Sequence, residues 1–434
     1  MKRTTHALLL LLAIVWTTQA VQAENWPGWR GPRGDGSSAS QSVPISWDVT
    51  TGKNLLWKTP LSATGHSSPI IHGNRVYIVG CINAKQQRTL SALDAHTGKL
   101  IWERVVLASP LESKHNLNSY ASGTPVTDGK TIYVSFLEVG SKTVPAPNVG
   151  NKRKITPGRM VVAAYDASGK KLWAVRPGDF VSAHGFCSSP VIYEDLLIVN
   201  GDHDGQSYML ALDRTSGKTV WKTDRKYGIR SYVTPLIRKI DGRTQMVVSG
   251  SQHITSLNPR TGKPYWIIEG PTEQFVASMV YDGNLFFMAC GYPTYHVMGI
   301  NPRGSGDVTK SHVTWHSRGA KCYVPSPVIV KNYLLVADDR GTGNCFDTKT
   351  GDRLWQGRLG RHYSGSLVTA RGLAFFIADD GITKAIKPGP KLQVVAESKL
   401  GEFTYASPAI AHDRFYIRGT KHLFCIGTES AAGK

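Results

Sequence analysis

One short pattern recurs along this chain of 434 residues and limits what it can fold into: an Asp-x-x-Thr-Gly-like turn followed within a few residues by Trp. It reads ALDAHTGKLIW at 92–102, AYDASGKKLW at 164–173, ALDRTSGKTVW at 211–221, SLNPRTGKPYW at 256–266 and CFDTKTGDRLW at 345–355. Weaker copies occur at 299–315, where the turn lengthens before Trp315, and near 385–395, where Val395 takes the Trp place. Successive Trp residues from Trp57 to Trp355 stand 45, 71, 48, 45, 49 and 40 residues apart. Between the turns lie Ser-Pro-like steps at Ser68, Thr124, Ser189, Thr234, Ser278, Ser326, Ser366 and Ser407. A self-similar period near 45 marks a repeat architecture.

Each unit reads as four short strands. An apolar strand follows the Ser-Pro step, a tight turn leads to a second, a third ends in Asp or Asn, and the fourth carries the Trp. Asp hydrogen-bonds its own backbone in such turns and Gly supplies positive φ, which assigns the turn roles of Asp94, Gly98, Asp213, Gly217, Gly262, Asp347 and Gly351. The rings of Trp57, Trp102, Trp173, Trp221, Trp266, Trp315 and Trp355 are large enough to fill the space between neighbouring sheets. Four strands per unit with this period predict an all-β, eight-bladed β-propeller. The last unit (405–427) has three strands and no Trp strand, whereas NLLWKTPL at 54–61 is a Trp strand without a unit. Pairing them completes blade eight and leaves no open sheet edge. Seven blades is the alternative, because the seventh unit is degenerate.

The same residues, strict at Ala92, Asp94, Thr97, Gly98 and Trp102, resemble the tryptophan-docking repeat of pyrroloquinoline-quinone (PQQ)-like propellers. That superfamily includes quinoprotein alcohol dehydrogenases and the outer-membrane assembly lipoprotein of the BamB type. The leader NWPGWRGPRGDGSS at 25–38 also looks like the start of exported members. The resemblance spans residues 54–427 and concerns the fold; a fold of this kind hosts unrelated activities.

The first residues bear on the compartment. Basic MKRTTH, the apolar run ALLLLLAIVW and the small-residue site Val21-Gln22-Ala23 form a secretory signal pattern over 1–23. A leader (24–53), the propeller (54–427) and a short tail (428–434) are expected to follow, periplasmic or secreted. No later segment is long and apolar enough to span a membrane. With 51 Lys and Arg against 31 Asp and Glu the formal charge is +20, and loss of Lys2 and Arg3 leaves +18. For an exported protein this excess points away from nucleic acid, toward an anionic glycan, a small anion or an envelope protein. A monomer is expected.

Strands within a blade are antiparallel, so loops sort onto two faces. Both long insertions, 105–118 and 137–158, fall on the face where chain enters the innermost strands, and long loops on a rigid scaffold are where binding resides. The entry loops carry His66, Tyr120, His184, Phe186, Arg230, Tyr232, Phe275, Lys321, Tyr323, Arg361, His362, Tyr363 and Tyr405. Aromatic rings and cations converging in a funnel would suit a flat or anionic ligand. The basic runs Lys152-Arg153-Lys154 with Arg159, and Arg225-Lys226 with Arg230, belong to the same face.

Carboxylates at second-strand ends, in Asp202-His203-Asp204, Asp338-Asp339-Arg340 and Asp379-Asp380, could hold calcium or act as a base. They lack the spaced ligand series of a calcium loop and equally suit turns, so no metal is expected. His115, His253 and His296 show no zinc spacing. Six cysteines (81, 187, 290, 322, 345, 425) allow fifteen complete pairings, among which blade geometry singles out Cys290–Cys322. A non-catalytic binding or assembly platform is the expected function. The alternatives are polysaccharide binding or processing and a PQQ-dependent dehydrogenase. The resemblance implies PQQ and Ca²⁺ only for that last branch, in which the quinone stacks between a Trp and a vicinal disulfide. No two cysteines here are adjacent.

Overall fold

The computed structural model describes residues 24–428; the secretory pattern at 1–23 and nearly all of the tail lie outside them. Eight antiparallel sheets of four main strands follow one another around an axis, with no α-helix among the described residues. In blade 1 the order from axis to rim is Ile70–His72, Arg75–Ile82, Gln87–Asp94 and Leu100–Ala108. Blade 8 takes its outermost strand, Leu55–Pro60, from the other end of the chain. That strand pairs antiparallel with His422–Ile426, with Trp57 opposite Cys425. The degenerate seventh unit is a complete sheet of Val368–Ala370, Leu373–Ile377, Ile382–Ile386 and Val394–Lys399. Small additions decorate the plan: Gly306–Asp307 runs parallel to the rim strand of blade 4, and a two-stranded ribbon, Val144–Pro145 with Lys154–Ile155, rises from the insertion in blade 2.

The repeated residues join the blades in two ways. Each Trp indole donates from Nε1 to a backbone carbonyl in the repeat turn of the next blade, as Trp57 does to Ala95, Trp102 to Ala167, Trp221 to Pro259 and Trp355 to Gly389, at 3.0–3.2 Å. Gly98 is required on two counts: its φ is +70°, and a Cβ there would stand 2.5 Å from the Trp57 ring. Burying one such ring contributes on the order of 4–6 kcal/mol as an upper bound. Asp94 holds the turn by accepting from the N–H groups of His96 and Thr97 at 3.0 and 2.8 Å.

Near the axis the Ser-Pro steps form a belt. The N–H of Ser68 donates to Thr124 Oγ1, Thr124 to Ser189, Thr234 to Ser278, Ser278 to Ser326, Ser326 to Ser366 and Ser366 to Ser407, at 2.8–3.3 Å. The hydroxyl that opens one inner strand thereby satisfies a buried backbone donor of its neighbour. Between blades 8 and 1 a buried arginine joins the sheets in a different way, satisfying acceptors rather than a backbone donor: Arg418 donates to Ser67 Oγ and to the Val79 carbonyl, both at 2.7 Å.

At the joint of blades 7 and 8 the docking position falls on Ala396, not on Val395 as the sequence spacing suggested: Ala396 stands opposite Ala385 as Trp355 stands opposite Cys345, and Val395 lies exposed one residue before it. Trp47 of the leader is buried there instead. Its ring lies 5.1 Å from that of Phe415, and its backbone bonds Ser398 Oγ and Lys399 N at 3.0 Å.

Candidate functional site

Loops entering the inner strands, and loops between second and third strands, surround a funnel with a cavity of about 1110 Å³. Eight of the thirteen entry-loop residues line it: His66, His184, Arg230, Tyr232, Lys321, Tyr323, His362 and Tyr405. Tyr120, Phe186, Phe275, Arg361 and Tyr363 do not. Tyr363 is fully buried, its ring set edge-on against Phe376, because consecutive residues of an extended loop point to opposite sides and His362 takes the funnel side. Tyr120 packs beneath the cations of Lys114 and Arg88, 5.1 and 5.9 Å away. Phe186 and Phe275 are core residues, Phe186 packing edge-on against Phe180.

Both insertions reach the funnel. The first brings His115, Leu117 and Asn118; its base is fixed by the buried Arg88–Glu112 ion pair and by Arg88 donating to Ser109 O at 2.7 Å. The second brings Asn148–Asn151 and Arg153. Arg230 secures it, donating to Asn148 O at 3.1 Å, to Asp204 Oδ1 at 2.8 Å and to His184 Nδ1 at 3.1 Å. Its charge is therefore neutralised inside the wall, and Arg230 positions the loop rather than facing the cavity as a free cation.

The three carboxylate clusters do a shared structural job. Asp204 accepts from Ala183 N at 2.9 Å, Asp339 from Val324 N at 2.9 Å and Asp379 from Ser364 N at 2.7 Å. In each case the end of a second strand pins the entry loop of its own blade. Asp202 is buried in a bond to Arg225 Nε at 3.0 Å, and Asp338 accepts from Thr342 N at 2.8 Å in a turn. No group of three or more His, Cys, Asp or Glu converges as a metal set among the described residues.

The cysteine pairing inferred from blade geometry does not occur: all six are free. Cys290 Sγ accepts from Val276 N and donates to Tyr323 O, both at 3.1 Å, while Cys322 Sγ faces carbonyls at 3.8 Å. Each thiol has its own backbone partners, and burial pushes that of Cys290 up to about 12.

Electrostatically the funnel is split by depth. Burial, reinforced by Arg418 and Lys114, depresses His66 to about 4, and burial with Arg230 and His115 depresses His184 to about 3, so both are neutral rings at pH 7. The His66 ring lies 4.7 Å from Tyr405 and the His184 ring 5.3 Å from His115. Burial raises Asp339 to about 6, whereas the hydrogen bond to Asp379 raises His362. At the mouth stand Arg153, Lys321 and Arg340, exposed and without a carboxylate partner among the described residues.

Sequence reading did not place Trp29, Glu273, Gln274, Tyr292 or Tyr295 here. The two tyrosines sit in a second-to-third-strand loop of blade 5, which the face argument could have flagged. Trp29 lies in the leader, outside the period, and carried no such signal.

Eight sheets, seven of whose joints carry an indole-to-turn bond, define the PQQ-like class of β-propellers. The chain belongs to the family whose model is described as outer membrane protein assembly factor BamB, matched over residues 37–144 and 121–292. Among solved structures it is similar to BamB from Moraxella catarrhalis, at 14% identity and a TM-score of 0.58, over 86% of this chain and 99% of that one. A europium-containing methanol dehydrogenase matches at 14% and 0.60, over 93% and 89%. The quinohemoprotein alcohol dehydrogenase from Comamonas testosteroni matches at 11% and 0.53, over 94% and 81%. At these identities the structures speak for the fold alone. No curated protein sequence matches the chain.

Proposed function

We propose that this propeller is an extracytoplasmic, non-catalytic binding platform that takes an anionic ligand, of the acidic-glycan class, into its funnel. One observation carries the reading: three cations without carboxylate partners among the described residues, Arg153, Lys321 and Arg340, stand over a cavity walled by neutral aromatic rings. Such a site attracts an anion at its mouth and offers ring faces below. The secretory pattern at 1–23 supports the compartment, as does the family description; no helix among the described residues is long and apolar enough to cross a membrane.

The residues present do not fit the quinone and calcium that the dehydrogenase resemblance would bring. All six cysteines are free, so no disulfide can cover the ring. Of the funnel carboxylates, Asp204 and Asp379 are committed to backbone donors and to Arg230 and His362, and Asp339 holds the backbone of Tyr323 and Val324, which leaves no convergent carboxylate set for calcium among the described residues. An envelope protein as ligand is the second reading, favoured by the family match to an assembly factor.

Calorimetric titration of the mature protein with a galacturonate tetramer and a heparin-derived tetrasaccharide, with maltotetraose as neutral control, tests the proposal. Binding of an acidic probe that weakens with salt, and weakens at least about fivefold in Lys321→Ala and in Arg340→Ala, is the expected result. No binding of either acidic probe, or unchanged affinity in the double variant, sinks it. Retention of an envelope protein by the immobilised chain would then favour the second reading.

A further inference from the structure

The leader is part of the propeller's interior. Residues 24–38 touch seven of the eight blades. Trp26 bridges Ile71 of blade 1, and Pro27 accepts from Thr127 N of blade 2 at 2.8 Å. Asp35 pairs with Arg238 of blade 4 at 3.2 Å, and Trp29 Nε1 donates to Ser278 Oγ of blade 5 at 3.2 Å. Arg30 donates to carbonyls of Ser326 and Pro327 in blade 6 and Leu367 in blade 7, and Glu24 O accepts from His412 N of blade 8 at 3.3 Å. A stretch of fifteen residues can meet that many blades only by lying across the axis. Its contacts include turns between first and second strands, such as Asn25 Oδ1 accepting from Gly73 N at 2.8 Å, so it enters from the face opposite the funnel.

Its composition fits that place. Arg30 is 2% exposed and donates from its guanidinium to backbone carbonyls, which cross-links two blades without a direct ion pair among the described residues. Gly31 has φ +79° and would set a Cβ 2.7 Å from the Trp26 ring. Trp26 is buried, but Trp29 is only half-buried and lines the cavity together with the belt residues Ser189, Thr234, Ser366 and Ser407.

We propose that Trp29 is the floor of the ligand pocket, supplied by the leader acting as an axial plug, and that a ring-bearing anion seats its ring on this indole below the cations of the mouth. The seat rests on the anion-binding reading above; the floor does not. An aromatic face bonded at its edge to Ser278 has a fixed orientation, so a ring lying on it costs little reordering.

Acrylamide quenching of tryptophan emission, as wild type minus Trp29→Phe, tests the floor. The Trp29 component should be quenched in the free protein and shielded by the galacturonate tetramer. Trp29→Ala should weaken that probe about tenfold and Trp29→Phe less, since a smaller ring remains. Lys321→Ala should weaken binding yet leave quenching of the free protein unchanged. A Trp29 component inaccessible to acrylamide overturns the floor. Full affinity in Trp29→Ala, with loss in Lys321→Ala, overturns the seat while the pocket reading stands. If neither acidic probe binds, the pocket reading fails and quenching alone decides the floor.

Discussion

The imidazole of His362 bonds Asp379 Oδ2 through Nδ1 at 2.6 Å. A carboxylate only accepts, so Nδ1 is the donor and Nε2 is the nitrogen left to titrate. Ser364 holds the carboxylate in place through its N–H at 2.7 Å and its hydroxyl at 2.9 Å. The pair thus presents a fixed ring whose pKa is raised by that hydrogen bond.

Anion affinity should therefore rise as pH falls from 8 to 5. His362 gains its charge in this range and Asp339, raised to about 6 by burial, loses its own. His66 and His184, at about 4 and 3, stay neutral throughout, and His115 is also lowered. The change should be about three- to tenfold. A flat profile, or one unchanged in His362→Gln, would contradict the assignment.

Asp339→Asn should stabilise the fold at neutral pH. The folded pKa lies above the ordinary 3.8, so the native state holds its proton more tightly than the unfolded chain and pays increasingly for ionisation as pH rises from 4 to 6. Removing that cost is worth up to about 3 kcal/mol at pH 7 and little at pH 4. Asn Oδ1 can still accept from Tyr323 and Val324. Urea unfolding at both pH values checks the sign; equal gains at both would mean a packing effect instead.

Trp47→Ala should be as damaging as loss of a docking Trp, about 3–5 kcal/mol. Trp47 supplies, from the leader, the ring that the seventh repeat lacks at Ala396. Trp173, which is less buried than Trp266, should cost less than Trp266 on the same substitution. A Trp47→Ala protein as stable as wild type would show that the joint of blades 7 and 8 is held by other contacts.

What could be read from sequence divides along the same line. Trp57, Asp94 and Gly98 are legible because their partners recur at a fixed period, so each copy supports the others. The face of the funnel followed from antiparallel order alone, and it carried both insertions correctly. Which side a loop residue points to did not follow: His362 and Tyr363 are neighbours with opposite fates. The acidic clusters hid their roles because a carboxylate that pins a loop and one that binds a cation share the same residue types. Trp29 and Trp47 occur once each, and a residue outside the period gives no sign of where the ring will take it.

The belt hydroxyls give a paired prediction, because chemically identical substitutions should differ in effect. Ser326 Oγ accepts from the buried N–H of Ser278 at 2.9 Å, so Ser326→Ala leaves a donor unsatisfied and should cost about 1–3 kcal/mol. Ser68 is equally buried, yet its hydroxyl has no partner among the described residues; blades 8 and 1 are joined there by Arg418 donating to Ser67 and Val79. Ser68→Ala removes a polar atom that bonds nothing and should be neutral or slightly stabilising. Chemical unfolding of the two variants side by side measures the difference. Equal losses would mean that the belt acts through packing of its side chains, whereas loss confined to Ser326 would show that the bonds themselves hold neighbouring blades together.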